Sequence, residues 1–237
     1  MRDQIDMHTH TLVSGHAYNT MAEMADAAAR KGLRLLGITE HGPAMEGSCT
    51  RIYFRNLKAV DRSALAVPLM LGVELNILDF AGTVDLTDAD MDCCDYAIAS
   101  LHSLCIRPGT RAQNTGALIG AMRCPKVKVI GHPDDGCYPI DHAALVKAAR
   151  ERGVLIEINN ASLAPGSFRR GARENDIALL AACRALGAPV LLSSDAHFVA
   201  AVGDHRYAQA LLDEADFPQE LVINRSAGLF RGLIGCA

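Results

Sequence analysis

Metal-binding side chains recur in this chain at one kind of position, the point where an apolar run stops. Seven of the nine histidines follow such runs, and a glutamate and an aspartate stand at equivalent places. Imidazole and carboxylate groups together are typical ligands of transition metals. The candidate ligands are His8, His10, His16, His41, Glu74, His102, His132, Asp195 and His197.

Nine ligands are more than one metal ion needs. A catalytic zinc takes three protein ligands and keeps a fourth position open. Nine ligands with one bridging carboxylate are enough for three ions. Two ions about 3.5–4 Å apart hold the attacking and leaving oxygens of a displacement at phosphorus, and a third can hold another phosphate oxygen. The pattern therefore favours a multinuclear centre for phosphate-ester chemistry.

Two pairs of candidate ligands are spaced two residues apart. His8 and His10 lie in an extended segment, so their side chains leave the same face. Asp195 and His197 have the same spacing at the end of the last apolar run. The first and last strands of a barrel are neighbours, so we expect the two pairs to converge, with Glu74 on the opposite arc.

Seven apolar, strand-like runs alternate with helical patterns along the chain. The runs cover residues 4–8, 33–39, 69–75, 95–101, 127–131, 154–159 and 190–194. This alternation predicts an α/β fold with parallel strands and a site at their C-terminal ends. A single barrel domain over residues 1–237 is favoured. An open doubly wound sheet is the alternative, but the G-x-G-x-x-G motif of a dinucleotide-binding fold is missing.

Capping signals place the helices between these runs. Thr20 and Glu23 form a T-x-x-E capping box, and glycines follow several helix ends. Two short helices are predicted after Pro218. His142 and His205 fall at helix starts and are predicted to be surface residues. Predicted helices open near Thr20, Asp141, Arg173, Asp204 and Ser226.

Composition excludes several classes of protein. The formal net charge is −4 and there is no long basic stripe, which gives no support to nucleic-acid binding. No uninterrupted apolar run approaches the roughly 20 residues that span a bilayer. The segment MRDQIDMHTH lacks the apolar stretch of a signal peptide. The eight cysteines form no C-x-x-C pair, so we expect reduced thiols in a cytoplasmic protein.

The ordered motifs resemble the PHP family, named for polymerase and histidinol phosphatase. They are D-M-H-T-H, His16, I-T-E-H-G, Glu74 in G-V-E-L-N, then G-H-P and S-D-A-H, and they extend from Asp6 to His197. The resemblance is to the short, stand-alone bacterial phosphatases. It implies a distorted seven-stranded (β/α) barrel and a trinuclear site with zinc, or with manganese or iron in some members. One departure is Glu40, where the family commonly has aspartate.

The resemblance also implies how the ligands divide among three ions. Glu74 would bridge the first two groups. The groups are His8, His10, Glu74 and Asp195; then Glu74, His102 and His132; then His16, His41 and His197.

The expected function is a metal-dependent phosphatase acting on a small phosphate monoester. Glu74, Asp195 and His197 are its catalytic candidates, the last two for steering a proton to the leaving oxygen. Arg169 and Arg170 lie in a basic loop before a helix and are the substrate-binding candidates. Arg51 and Arg55 rank below them.

The sequence leaves several alternative functions open. They are an amidohydrolase-type deacylase, a PHP-type nuclease and a non-catalytic metal-binding domain. Histidinol phosphate, a sugar phosphate, a nucleotide and a general phosphomonoester are all open as substrates.

Overall fold

The computed structural model describes residues 3–235 as a barrel of seven parallel strands in the order of the sequence. The predicted fold class is confirmed, and all seven predicted runs form strands. Their residues are buried almost throughout, because helices cover the outside and side chains fill the inside. The strands are β1 (Ile5–Asp6), β2 (Leu35–His41), β3 (Leu69–Asn76), β4 (Tyr96–Ser100), β5 (Val127–Ile130), β6 (Leu155–Asn159) and β7 (Val190–Ser193).

Eight α-helices occur among these residues. The predicted capping residues Thr20, Asp141 and Ser226 each accept a bond from a backbone N–H at a helix start. The helix expected from Asp204 begins two residues later, and the segment after Pro218 starts with two 3-10 turns. The helices are α1 (Met21–Lys31), α2 (Arg51–Arg55), α3 (Arg111–Ala121), α4 (His142–Arg152), α5 (Asn160–Leu163), α6 (Ala172–Leu186), α7 (Arg206–Glu214) and α8 (Ala227–Ile234).

The barrel interior has an apolar half and a polar half. Near the N-terminal ends of the strands, Met7, Tyr96 and Phe230 pack together, and Phe230 brings α8 against this end. Tyr96 donates its hydroxyl to the carbonyl of Met7. Gly37 lies against this hydroxyl, where a Cβ atom would collide with it. Apolar packing therefore leaves only the C-terminal half of the interior for polar side chains.

The seam between β1 and β7 is closed by few strand bonds. One parallel bridge joins Thr9 to Ala196. Lower down, Asn224 occupies the gap: its side chain donates to the carbonyls of Ile5 (3.2 Å) and Leu192 (2.7 Å) and accepts from the Leu192 N–H (2.8 Å). This amide takes the place of backbone pairing, so the two strands carrying the H-x-H and D-x-H pairs are held together as expected.

His205 corrects a prediction, because it is buried rather than on the surface. Its Nδ1 lies 2.8 Å from Asp3 Oδ2, and its Nε2 lies 3.6 Å from Asp6 Oδ1. Asp6 also accepts from the Gly203 N–H (2.7 Å). Burial opposes the charge on His205, but the nearby carboxylates of Asp3 and Asp6 raise its pKa to about 9. His205 therefore acts as a buried cation that ties the start of α7 to β1.

No helix within residues 3–235 is both long enough and apolar enough to cross a membrane. The seven cysteines in this range are free thiols. Residues 1–2 and 236–237 of the predicted domain, with Cys236 among them, lie outside the described residues.

The ion pair of His205 predicts a pH-dependent stability. A folded-state pKa above the unfolded value of about 6.5 stabilises the fold fully below that pH and loses its effect as pH rises through about 9. His205→Gln should therefore lower the free energy of unfolding by about 3 kcal/mol near pH 6, and by much less near pH 10. Urea unfolding at both values measures this. An equal loss at both would contradict the charged pair.

Candidate metal centre

All nine predicted ligands lie together at the C-terminal mouth of the barrel. His8, His10, His41, Glu74, His132 and Asp195 are buried, His102 and His197 are half-buried, and His16 is exposed. His16, which lies in the loop after β1, is therefore the candidate ligand nearest to solvent.

In the first group, two histidine nitrogens lie close to two carboxylate oxygens. The Nε2 atom of His8 lies 3.3 Å from Glu74 Oε2 and 3.6 Å from Asp195 Oδ1. The Nε2 atom of His10 lies 3.5 and 3.2 Å from the same two oxygens. Two atoms bound to one tetrahedral zinc at about 2.0–2.2 Å are about 3.4 Å apart. These four nitrogen–oxygen distances are those of ligands that can share one ion, and His8, His10 and Glu74 offer ligand atoms within 4.8 Å of one another.

The other oxygen of Glu74 faces a second group. Its Oε1 atom lies 2.9 Å from His132 Nε2 and 3.1 Å from His102 Nε2. One carboxylate thus presents its two oxygens to two separate sets of imidazoles. A carboxylate placed in this way is able to contact two ions.

A third group lies nearest to solvent. The Nε2 atoms of His16 and His197 are 3.0 Å apart. His41 stacks on His16 at 4.9 Å between ring centroids, and its Nδ1 lies 2.7 Å from Glu74 Oε2. His41 therefore stands between this group and the bridging carboxylate.

Metal ions fit this donor set, because several of its buried atoms have no other partner. The Nε2 atoms of His8 and His10, Nδ1 of His41 and Oε2 of Glu74 are buried without a hydrogen bond. Buried polar atoms in native proteins are nearly always satisfied. A metal ion bound here would satisfy these unpaired nitrogen and oxygen atoms.

Electrostatics leave the carboxylates ionised. Burial, the largest single effect, raises the pKa of Glu74, but the charges of His8, His102 and His41 bring it well below its ordinary value. His8 and His10 likewise offset burial to lower the pKa of Asp195 well below its usual range. Burial and the neighbouring His41 lower the pKa of His10 well below its usual value. Anionic carboxylates and a neutral imidazole are ready to bind cations.

Polar partners fix the orientation of the histidine rings. His8 donates from Nδ1 to Glu157 Oε1 (2.7 Å), and His102 donates from Nδ1 to Asn76 Oδ1 (2.7 Å). Each bond leaves Nε2 turned toward Glu74. Such partners set the tautomer of a metal-bound histidine and raise its basicity.

Glu40 orients the histidines through a serine. Ser14 donates to Glu40 Oε2 (2.6 Å) and accepts from His10 Nδ1 (3.1 Å) and the His41 N–H (3.1 Å). Thr11 donates to the same carboxylate. The longer glutamate therefore still reaches the residues around the site.

Two of the candidate ligands have unusual backbone angles. Among residues 3–235, three non-glycine residues have positive φ, and His132 (27°) and Asp195 (53°) are two of them. Strained φ values of this kind persist where surrounding contacts hold them and are common at functional sites. Here the strain coincides with the ends of β5 and β7.

The structure brings one of the two predicted arginines into the site. Arg169 lines the cavity above the histidines and donates to Asn159, Ser162 and Asp195 at 3.0–3.3 Å. These bonds occupy at most three of its five N–H donors. Burial opposes the charge on Arg169, but Asp195 and Asp134 raise its pKa. A charged guanidinium with free donors therefore faces the cavity.

The other arginines lie elsewhere. Arg170 is exposed and does not line the cavity. Arg173 pairs with Glu214 on the surface. Arg55 pairs with Asp90, and Arg51 is exposed at the start of α2.

The sequence patterns did not predict two buried carboxyl groups near Arg169, those of Asp134 and Asp176. Burial raises the pKa of Asp134 to about 7, and burial together with Asp134 raises the pKa of Asp176 well above its ordinary value. A neutral Asp176 does not cancel the charge of Arg169. Neither residue carries a sequence signal beyond a charged side chain beside apolar ones.

Glu157 and Asn76 were also not predicted as site residues, but the sequence contains a pattern that points to them. Glu157 interrupts the apolar run L-I-E-I-N, and Asn76 follows Glu74 by two residues, on the same face of its strand. A polar residue inside a buried strand needs a partner. That rule points toward both positions.

Seven parallel strands closed into a barrel, with histidines and carboxylates at the mouth, define a (β/α) barrel with a metal centre. The sequence matches the PHP domain over residues 6–161. A probable phosphatase from Caldicellulosiruptor saccharolyticus is 44% identical over 223 residues, which cover 94% of this chain and 92% of that protein. One from Clostridium acetobutylicum is 43% identical over 224 residues, with 94% and 91% covered. This chain belongs to the PHP domain family.

Solved structures share the fold at low sequence identity. Histidinol phosphate phosphatase from Lactococcus lactis, in complex with zinc, L-histidinol and phosphate, has a TM-score of 0.63 and 14% identity over 92% of this chain and 95% of its own. An archaeal ribonuclease P with mature tRNA contains a chain with a TM-score of 0.60 and 15% identity, over 98% and 90%. At these identities the likeness shows the fold alone.

The contact between Glu157 and His8 predicts a role in metal affinity. Glu157→Gln keeps the size of the side chain but weakens its pull on the Nδ1–H of His8. We expect metal affinity to fall by roughly 10–100-fold, the usual effect of removing such a partner. Competition with a chelator of known affinity measures it. Glu214→Gln, on the surface, is the control, and unchanged affinity in Glu157→Gln would contradict this role.

Proposed function

We propose that this chain is a phosphatase that hydrolyses a small phosphate monoester at a centre of three divalent transition-metal ions. The observation that carries the proposal is Glu74, whose two oxygens face two separate groups of imidazoles beneath a cavity lined by Arg169. The phosphatase-named relatives and family membership support the same reaction class.

The proposed ligand groups are those that the resemblance to the PHP family implies. His8, His10, Glu74 and Asp195 would hold one ion, Glu74 with His102 and His132 a second, and His16, His41 and His197 a third. Nitrogen and oxygen donors suit zinc, manganese and iron, and zinc is the ion in the Lactococcus lactis complex. When bound, the ions supply Lewis acidity that activates water and neutralises charge on phosphate oxygens.

The side chains of this protein then divide the remaining work. Arg169 binds a non-bridging phosphate oxygen and stabilises the charge that develops there. Asp195 orients Arg169 through Oδ2, which also accepts from Asn159 Nδ2 (3.2 Å). Asp195 and His197 both lie at the cavity wall and are the two candidates for steering a proton to the leaving oxygen.

The alternatives receive less support. Family membership favours phosphorus over the carbonyl carbon that a deacylase attacks, and a complete ligand cluster is unexpected in a non-catalytic domain. Glu46 and Asp135 on the cavity wall are unfavourable for a polyanionic nucleic acid. A small phosphorylated substrate and a cytoplasmic location stay predictions.

Arg169→Ala should reduce kcat/KM for a phosphate monoester by a factor equivalent to about 2–4 kcal/mol, the cost of losing one preorganised donor to the transition state. Arg169→Lys should recover part of this loss, since it keeps the charge but not the fork of donors. Arg170→Ala is the matched control and should stay near wild type.

Metal content is measured on the same samples, because Arg169 contacts Asp195. Full metal content with kcat/KM within twofold of wild type in Arg169→Ala would place the phosphate clamp elsewhere. If no phosphate ester is hydrolysed by the metal-loaded wild type, the proposed function itself is wrong.

A further inference from the structure

The cavity above the metal centre extends beyond the candidate ligands. Its volume is about 690 Å³, within the range of small-molecule sites. Apart from the ligands and Arg169, five of its nine lining residues are apolar. The apolar lining residues are Met45, Leu101, Leu104, Ala161 and Phe168.

Two of these side chains are large and stand in solvent. Leu104 is 68% exposed and Phe168 is 80% exposed. Single exposed apolar residues are ordinary on a protein surface. Here, however, both line one cavity together with buried Met45 and Leu101, so they form an apolar surface that a ligand can cover.

The apolar surface begins beside the phosphate-binding candidate. The guanidinium carbon of Arg169 lies 5.2 Å from the centroid of the Phe168 ring, which is cation–π distance. A phosphate held by Arg169 and by ions bound at the candidate ligands would bring its organic group close to this ring. An aromatic or aliphatic group there would bury the exposed faces of Phe168 and Leu104.

Four polar residues line the wall besides the ligands and Arg169: Glu46, Ser103, Asp135 and Ser167. Two of them are engaged with the backbone, since Ser167 Oγ accepts from the Arg169 N–H and Asp135 Oδ1 accepts from the Cys137 N–H. The other two, Ser103 and Glu46, are exposed side chains, whereas selection of a polyol takes several polar groups held in fixed positions. Glu46 would also repel a second phosphate.

We propose that Phe168 and Leu104 form an apolar subsite for the organic group of the substrate, so that the enzyme prefers phosphate monoesters of aromatic or aliphatic alcohols to sugar phosphates. This rests on the proposed phosphatase function. Water attacks phosphorus, the bond from phosphorus to the ester oxygen breaks, and the alcohol leaves with a proton together with inorganic phosphate.

The test compares esters of primary alcohols, whose leaving groups are similar. 3-Phenylpropyl phosphate, glycerol 3-phosphate and ribose 5-phosphate are assayed with metal-loaded wild type, Phe168→Ser, Leu104→Ser and the double variant. Ile52→Ser is the matched control, because Ile52 is 73% exposed but lies outside the cavity lining.

We expect wild type to have at least about tenfold higher kcat/KM for the phenylpropyl ester, or about 1.4 kcal/mol. The double variant should lower the ratio of kcat/KM for the phenylpropyl ester to kcat/KM for glycerol 3-phosphate by about tenfold, mostly through the KM of the phenylpropyl ester. Ile52→Ser should match wild type on both. Equal rates of wild type on all three esters, or equal losses of the double variant on all, would overturn the subsite but leave the phosphatase. No hydrolysis of any ester would overturn both.

Discussion

The buried carboxylate of Glu74 is the constraint on which the site depends. It lies at the centre of the barrel mouth and faces imidazoles of His8, His10 and His41 on one oxygen and of His102 and His132 on the other. An anion with no exposure is costly unless cations surround it. Four ligand atoms of this carboxylate and the imidazoles around it are buried without a hydrogen bond, which supports a cation-binding role for the cluster.

The barrel supplies the precision that such a set needs. Parallel strands bring their C-terminal ends to one rim, and the seam between β1 and β7 must hold its register for the two ligand pairs to meet. Asn224 and Asp6 supply that register where strand pairing is short. Glu157, Asn76 and Ser14 then hydrogen-bond to the Nδ1 atoms of the ligand histidines, which orients the Nε2 atoms toward the carboxylates.

Much of this arrangement is readable in the sequence, because strand ends and ligand types are local signals. The seven runs, the capping residues and the gathering of the nine candidate ligands all follow from patterns within a few residues. The contacts that were missed join distant parts of the chain. Glu157 meets His8 across 149 positions, and His205 meets Asp3 across 202, so its burial cannot be read from a helix start. Choosing Arg169 over Arg170 likewise required knowing which side of a loop faces the cavity.

The number of metal ions per chain tests the proposed three-ion centre most directly. Protein loaded in turn with zinc and with manganese, freed of excess ion, is analysed for metal by elemental analysis, alongside Glu74→Gln with its folding checked by circular dichroism. We expect close to three ions in wild type and a marked loss in the folded variant, since Glu74 is assigned to two groups of ligands. At most one ion in wild type, or full occupancy in Glu74→Gln, would contradict the three-ion centre.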